Sequence, residues 1–189
     1  EVAMPIIPSW LRAALFPPRP DTTPELAAVE AEIADPWAAE VVRRALSVEG
    51  TGQYGLGCGG RDPSAPSPLD KNGRSDCSGF ALAWCYGWDR YAPGLIDADW
   101  HSTAGVFADA TGPQRVWRAL PIDDARPGHA LVYPTRRVAG VKRIGRCGVV
   151  GGPSGIVHCH GGRGPAVGRA TFDLWRRKKA IAVVPVSWD

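Results

Sequence analysis

The sequence has no apolar run of about 18 residues or more, so it predicts no helix that crosses a membrane. It has no internal repeat, and its first residues, Glu1 to Pro5, hold neither the basic nor the apolar segment of a signal peptide. The charges nearly balance, with a formal net charge of +3, which gives no electrostatic argument for a nucleic-acid partner. We therefore expect neither a membrane span nor a nucleic-acid binder.

The cysteines lack the pattern of a zinc ribbon or of a disulfide framework. They are odd in number and contain no C-x-x-C pair, so at least one thiol stays unpaired within the chain. The five are Cys58, Cys77, Cys85, Cys147 and Cys159. An unpaired thiol becomes a candidate nucleophile where its surroundings favour the thiolate.

The chain has enough apolar residues for one compact domain. It contains 189 residues, of which 44% are hydrophobic, a size that folds without disulfides or metals to hold it. Residues 1–23 are proline-rich around a short apolar piece, and we predict that they form an N-terminal extension. Residues 24–189 are predicted to form a single domain.

The segment from Arg74 to Trp88 contains the candidate nucleophile. Its aromatic residues recur every four positions, at Phe80, Trp84 and Trp88. This spacing predicts a helix with one buried face. Asp76 is a favourable N-cap, so Cys77 would lie in the first turn, where free backbone N–H groups and the helix dipole favour a thiolate. The alternative is a buried structural cysteine at a helix start.

The predicted elements place helices first and strands later. Capping residues followed by proline predict helices over 24–34 and from 36 to about 48, and a third is predicted over 102–110. Strands are predicted over 129–133, 146–151, 156–160 and 180–186. This order predicts an α+β fold in which the Cys77 helix packs on an antiparallel sheet.

Five segments in order carry a family resemblance. They are 41–45 with the glycine-rich turn 53–57, Asp-Cys-Ser-Gly-Phe at 76–80, Pro-Gly-His-Ala-Leu-Val-Tyr at 127–133, Arg-Cys-Gly-Val-Val at 146–150, and Ile-Val-His at 156–158. Together they resemble the NlpC/p-sixty family of cell-wall cysteine peptidases, small relatives of papain, over roughly residues 37–186. The resemblance implies a papain-like fold with Cys77 as the nucleophile. It also implies a place in the cell envelope, outside the cell or in a phage.

One position departs from the family pattern. Arg146 stands where the family has its general base, a histidine. An arginine keeps its proton at working pH, so it stabilises a thiolate but does not accept a proton. His158 falls at the position of the family's third polar residue and, by strand alternation, shares a face with His160. We predict that His158 replaces the missing base, so the predicted catalytic residues are Cys77, His158 and Arg146.

Other residues have predicted substrate-binding roles, and two of them also have a metal-binding alternative. We predict substrate-binding roles for Tyr54, Asp76, Ser78 and His160; for Tyr54 this follows from the resemblance, and Asp76 serves chiefly as the cap. An alternative for His158 and His160 is a His-x-His metal pair, but no second ligand pair is visible. We therefore expect no metal and no cofactor.

Two basic clusters stand out in the second half of the chain. They consist of Arg136, Arg137, Lys142, Arg143 and Arg146 on one predicted hairpin loop, and of residues 176–179. They either attract anionic wall polymers or are simply solvated.

Three functions follow from these features. The first is a cysteine peptidase acting on peptidoglycan stem peptides. The second is an inactive module that kept the groove and lost the base, and binds peptidoglycan or a partner. The third is a thiol enzyme with another acyl substrate, for which Arg146 clamps a carboxylate.

Overall fold

The computed structural model describes residues 31–88, 102–152, 155–162 and 164–186. The predicted extension, 1–23, and most of the first predicted helix lie outside these ranges, as does His101. Within them, no helix is both long and apolar enough to cross a membrane.

The elements bounded within the described residues include ten strands and three α-helices. The strands are β1 (Gln53–Tyr54), β2 (Arg74–Ser75), β3 (Trp117–Leu120), β4 (Ala130–Tyr133), β5 (Arg136–Val138), β6 (Val141–Arg143), β7 (Arg146–Val150), β8 (Ile156–Cys159), β9 (Val167–Ala170) and β10 (Ile181–Pro185). The α-helices are α1 (Pro36–Ser47), α2 (Thr103–Thr111) and α3 (Phe172–Arg177). A π-helix (Gly79–Trp84) and a 3-10 helix (Ile122–Asp124) complete the described elements.

A six-stranded sheet forms the centre of the fold. Its spatial order is β3-β10-β4-β7-β8-β9, and every neighbouring pair is antiparallel. This antiparallel sheet with few helices is compatible with the predicted α+β class. The predicted strands in the second half of the chain are present with ends shifted by at most one residue, whereas β3 and β9 had no sequence prediction.

The two faces of the sheet bury different clusters. On one face, α1 and the π-helix pack against residues such as Cys147, Val149 and Val157. On the other face, Trp175 of α3 packs against Leu131 and Ile156. Helix α1 begins as the sequence predicts, because the Asp35 carboxylate accepts a hydrogen bond from the Trp37 backbone N–H at 2.9 Å.

The segment after Cys77 differs from its prediction. The Phe80 N–H donates to the Asp76 carbonyl at 3.0 Å, as in an α-helix, but the Cys85 N–H donates to the Phe80 carbonyl at 3.0 Å, five residues back. All six residues from Gly79 to Trp84 are buried. The four-residue aromatic spacing therefore predicted the wrong period, and it predicted one buried face where the π-helix is buried all round.

Strands β5 and β6 form a separate hairpin. Its two-residue turn, Ala139–Gly140, has φ of 47° and 77°, which is the positive-φ pattern of a type I′ turn. The hairpin leaves the sheet between β4 and β7, which pair through Tyr133 and Arg146. Its base is closed by a hydrogen bond from the Gly145 N–H to the Thr135 hydroxyl at 2.9 Å.

Candidate active site

Asp76 fixes the start of the Cys77 helix. One carboxylate oxygen accepts from the Gly79 N–H at 2.7 Å and from the Ser78 hydroxyl at 3.1 Å, and the other accepts from the Gly57 N–H at 2.7 Å. The predicted cap is therefore confirmed, and it also ties the glycine-rich loop to the helix. Asp76 and Ser78 are buried, and their polar atoms bind other groups of the chain. Their substrate-binding roles stay predictions with no exposed polar group behind them.

Tyr54 reaches the helix start through a short parallel strand pair. In the β1–β2 pair, Tyr54 lies opposite Ser75, two residues before Cys77. The Tyr54 ring is half-buried. It packs beside the backbone of Gly161, where an added Cβ would lie 3.5 Å from the ring. The glycine-rich turn thus places a phenol beside the thiol.

Arg146, the first residue of β7, meets both groups. Its Nη1 donates to the Tyr54 hydroxyl oxygen at 2.7 Å, and its guanidinium carbon lies 4.8 Å from the centre of the Tyr54 ring. Burial works to lower the pKa of Arg146, but the ionised forms of Tyr54 and Cys77, with hydrogen bonds to both, raise it overall. Arg146 therefore stays charged at every pH at which the protein is folded.

The Cys77 thiol is buried and acidic. A hydrogen bond from the Cys147 side chain is the largest influence that lowers its pKa, helped by the Cys147 backbone N–H and the charge of Arg146. Burial and the Asp76 carboxylate act in the opposite direction, and the resulting pKa of Cys77 is about 7. About half of the thiol is therefore ionised at neutral pH, which is the state that attacks carbonyl carbons.

Tyr54 keeps its proton at a pH at which Cys77 has lost its proton. Burial raises the pKa of Tyr54 to about 12, and the charge of ionised Cys77 adds to the rise against the opposing effect of Arg146. Because the Tyr54 oxygen accepts its hydrogen bond from Arg146, its own proton is free to be donated elsewhere. The site therefore pairs a nucleophile with a protonated phenol.

His158 lies on the other face of the sheet from the π-helix. Its ring packs edge-on against Trp175 at 5.6 Å between centroids, whereas the neighbours Val157 and Cys159 belong to the cluster that contains Cys77. Its Nδ1 is buried and has no hydrogen-bond partner among the described residues. Burial, then the charges of His160 and Arg146, lower the pKa of His158 to about 4.

The predicted dyad therefore lacks a direct hydrogen bond. The sequence correctly placed His158 on one strand face with His160, whose ring centroid is 4.9 Å away, but packing turns that face away from Cys77. The base role of His158 stays a prediction, and the group that the structure brings to the thiol is Arg146.

Two further cysteines influence or are influenced by Cys77, and the sequence predicted no role for either. Cys147 donates to Cys77, and the Cys159 thiol donates to the Ser75 carbonyl at 3.3 Å. Burial and the charge of ionised Cys77 raise the pKa of Cys159 to about 12. Because residues two apart along a strand share a face, Cys147 lies on the same face as Val149, and Cys159 on the same face as Val157. This alternation predicts that both thiols are near Cys77 only if one already knows that this face packs against the π-helix. Among the described residues, no group of three His, Cys, Asp or Glu side chains is placed to hold a metal ion.

His129 lies outside this site. Its Nδ1 accepts a hydrogen bond from the Arg126 N–H at 3.1 Å, and burial and the nearby arginines, Arg126 and Arg118, lower its pKa to about 4. This fits the structural role that its place before β4 favours.

A comparison with protein-family models and with curated proteins found no match to this chain.

Proposed function

We propose that this protein is a cysteine peptidase of the NlpC/p-sixty type that hydrolyses amide bonds in peptidoglycan stem peptides. The family assignment rests on the five ordered motifs, and the papain-like fold is part of the same proposal. The observation that carries the activity is the Cys77 thiol at a capped helix start, with a pKa of about 7. An inert structural cysteine buried in apolar surroundings would have its pKa raised, as burial raises that of Cys85.

The first step uses charges that are already in place. The Cys77 thiolate attacks the amide carbonyl, and the developing oxyanion is met by the Cys77 backbone N–H at the helix start. No base is needed for this step, because the thiol has already lost its proton. Arg146 holds the thiolate in position before the attack.

The leaving amine then requires a proton, which Arg146 cannot supply. We assign this proton to the hydroxyl of Tyr54, which interacts electrostatically with Cys77 and accepts a hydrogen bond from Arg146 at 2.7 Å. When the thiolate becomes a neutral thioester, one of the negative charges that raise the pKa of Tyr54 disappears, while the positive charge of Arg146 remains. The tyrosinate that remains after the C–N bond breaks is therefore stabilised by Arg146 and is no longer opposed by a negative charge on Cys77.

The second step restores the site. The tyrosinate, stabilised by Arg146, takes a proton from the water that attacks the thioester, and the Cys77 thiolate leaves. The sum of the two steps is the addition of one water across the amide bond. Arg146 contributes as a fixed charge and a hydrogen-bond donor throughout.

The experiment compares two substrates that differ in their leaving group. A stem-peptide amide needs a proton on its leaving amine, whereas an activated aryl ester releases a phenolate that needs none. We expect the parent to cleave both and Cys77→Ala to cleave neither. Tyr54→Phe should release a burst of phenolate from the ester but lose at least about a hundredfold in amide hydrolysis. Tyr133→Phe, which removes a second half-buried hydroxyl near Arg146, should keep the amide activity.

The outcomes separate the assignments. Full amide activity in Tyr54→Phe, with loss in His158→Ala, would return the proton-transfer role to His158. A parent protein that forms no acyl-enzyme with the ester and cuts no wall would contradict the peptidase itself.

A second candidate is an inactive module that binds peptidoglycan or a partner. It is favoured by one observation, the absence of a hydrogen bond between Cys77 and any described imidazole, with Arg146 at the base position. Binding of purified peptidoglycan by both the parent and Cys77→Ala, with no fragments released by either, would support it.

A further inference from the structure

The fold joins two basic clusters that are distant in the sequence. Arg136 at the start of β5 donates a hydrogen bond to the carbonyl of Lys178, just after α3. The basic surface, as we define it, comprises Arg136, Arg137, Lys142, Arg143, Arg177, Lys178 and Lys179. All except the half-buried Arg136 are exposed.

Nothing in the described part of the chain neutralises this surface. None of its seven side chains forms an ion pair with a described carboxylate, although Arg176 beside them pairs with Asp123 at 2.7 Å and Asp173 at 2.9 Å. The hairpin register even sets like charges directly opposite each other, Arg136 against Arg143 and Arg137 against Lys142. Such cross-strand pairs destabilise a hairpin, so the arrangement has a cost that an anionic ligand would remove.

The surface adjoins the candidate active site. Strand β7 begins at Arg146, three positions after the last cation of β6, and Arg146 contacts Tyr54 and Cys77. The hydrogen bond between Gly145 and Thr135 holds the hairpin base next to that contact. A chain bound along the hairpin would therefore end at the thiol.

The chemistry of the surface indicates the kind of ligand. Arginine binds phosphate groups with two parallel hydrogen bonds, and the surface holds four arginines among its seven cations. The exposed apolar residues on the hairpin segment are aliphatic, Val141 (52% exposed) and Ile144 (43% exposed). Proteins that bind single-stranded nucleic acids add exposed aromatic side chains on which the bases stack, whereas every aromatic side chain in the described part of the chain is buried or half-buried.

We propose that the basic surface binds a linear phosphodiester polymer of the cell wall and thereby holds peptidoglycan that carries this polymer against Cys77. The binding itself does not require catalysis; the choice of a wall polymer rests on the proposed function. Uncharged peptidoglycan would bind without this contribution.

The test measures binding of poly(glycerol phosphate), which carries one charge per unit and no bases. The triple variant Arg137→Gln, Lys142→Gln and Arg143→Gln is compared with a matched control, Lys71→Gln, Arg115→Gln and Arg126→Gln, which removes three exposed charges elsewhere. All are made in Cys77→Ala, so that no turnover interferes. We expect the hairpin variant to bind at least about tenfold more weakly at low salt. The slope of its log binding constant against log salt concentration should correspond to about two to three fewer released counterions than in the parent. The control should bind within about twofold of the parent.

A folding control and a competing ligand complete the design. The hairpin variant should melt at or above the temperature of the parent, because its opposed like charges are gone. Equal binding by the hairpin variant and the parent, or an equal loss in the matched control, would overturn the proposal. So would a single-stranded oligonucleotide with the same number of phosphodiesters that binds more than about tenfold tighter than poly(glycerol phosphate). A Cys77→Ala protein that binds the polymer, beside a parent that cuts no wall, would leave this inference standing and remove the peptidase.

Discussion

The positive charge of Arg146 attracts Cys77 strongly only when the Cys77 thiol is ionised. When Cys77 is neutral, Arg146 gains little from it; when Cys77 is ionised, the two form a contact of opposite charges in a low-dielectric setting. The same contact leaves Arg146 unable to move a proton. Arg146 therefore stabilises the nucleophile and cannot complete the catalytic cycle by itself.

This pair predicts a rank order of thiol reactivity. Alkylation of Cys77 in the parent should rise with pH around a midpoint near 7, because the thiolate is the reacting form. Arg146→Ala should move the midpoint upward, and a rise of about one unit would cut the thiolate fraction at pH 7 about fivefold. Cys147→Ala should move it further, since the Cys147 hydrogen bond is the larger influence.

The measurement is mass spectrometry of the Cys77 peptide after timed alkylation, which separates it from the more accessible Cys58. Arg143→Ala removes one exposed charge nearby and serves as the control. An unchanged midpoint in both Arg146→Ala and Cys147→Ala would show that neither group stabilises the Cys77 thiolate.

Helix α1 and the π-helix are joined by one buried arginine. Arg44 donates through Nη1 to the Pro63 carbonyl at 2.9 Å and to the Trp84 carbonyl, the last residue of the π-helix, at 2.5 Å. Its Nε is paired with Glu40 at 2.9 Å. The side chain thus adds a charged donor to the Trp84 carbonyl, which also accepts from the Gly87 N–H at 3.0 Å, and it holds the proline-rich loop against this helix end.

The two neighbouring arginines of α1 provide a matched pair of variants. Arg44→Met should lower the free energy of unfolding by about 2 kcal/mol or more, because two carbonyls lose a charged donor inside the protein. Arg43→Met should lower it by less than about 1 kcal/mol, since among the described residues Arg43 bonds only to Glu40, at a partly exposed site. Urea unfolding of both variants measures the difference, and equal losses would contradict a clamping role for Arg44.

Two of the described histidines are uncharged in the folded protein at neutral pH. The pKa values of His129 and His158 are both about 4, below the value of about 6.5 for a histidine in an unfolded chain. Between these values the unfolded chain binds more protons than the folded one, so stability rises with pH. The contribution is complete above about pH 6.5 and is lost as the pH falls toward 4.

This proton linkage predicts that a double variant loses less thermal stability in acid than the parent does. The melting temperature of the parent should fall by a few degrees between pH 7.5 and pH 5, and His129→Asn with His158→Gln should show a smaller fall. Thermal unfolding followed by circular dichroism at both pH values is the measurement. An identical fall in the parent and the double variant would show that carboxylates alone set the acid response.

The features that the sequence predicted are those fixed by neighbouring residues. The Asp35 and Asp76 caps, the start of α1, and the strand around Leu131 depend on local chemistry and were found where expected. The π-helical period after Cys77 and the orientation of His158 depend on which surfaces pack together, and no local pattern carries that information. Strand β9 was missed because its Val-Gly-Arg-Ala sequence has little β preference without its neighbour β8.

The loop before the helix and the helix itself touch backbone to backbone at one point. A Cβ on Gly60, whose φ is +66°, would lie 2.3 Å from the carbonyl oxygen of Gly79 and 2.7 Å from its Cα. Any side chain there would force the loop away from the first turn that carries Cys77. Any distant relative that keeps this architecture is therefore expected to have glycine at position 60, even where Cys77 has been lost. That single glycine offers a mark of common ancestry that outlasts the chemistry.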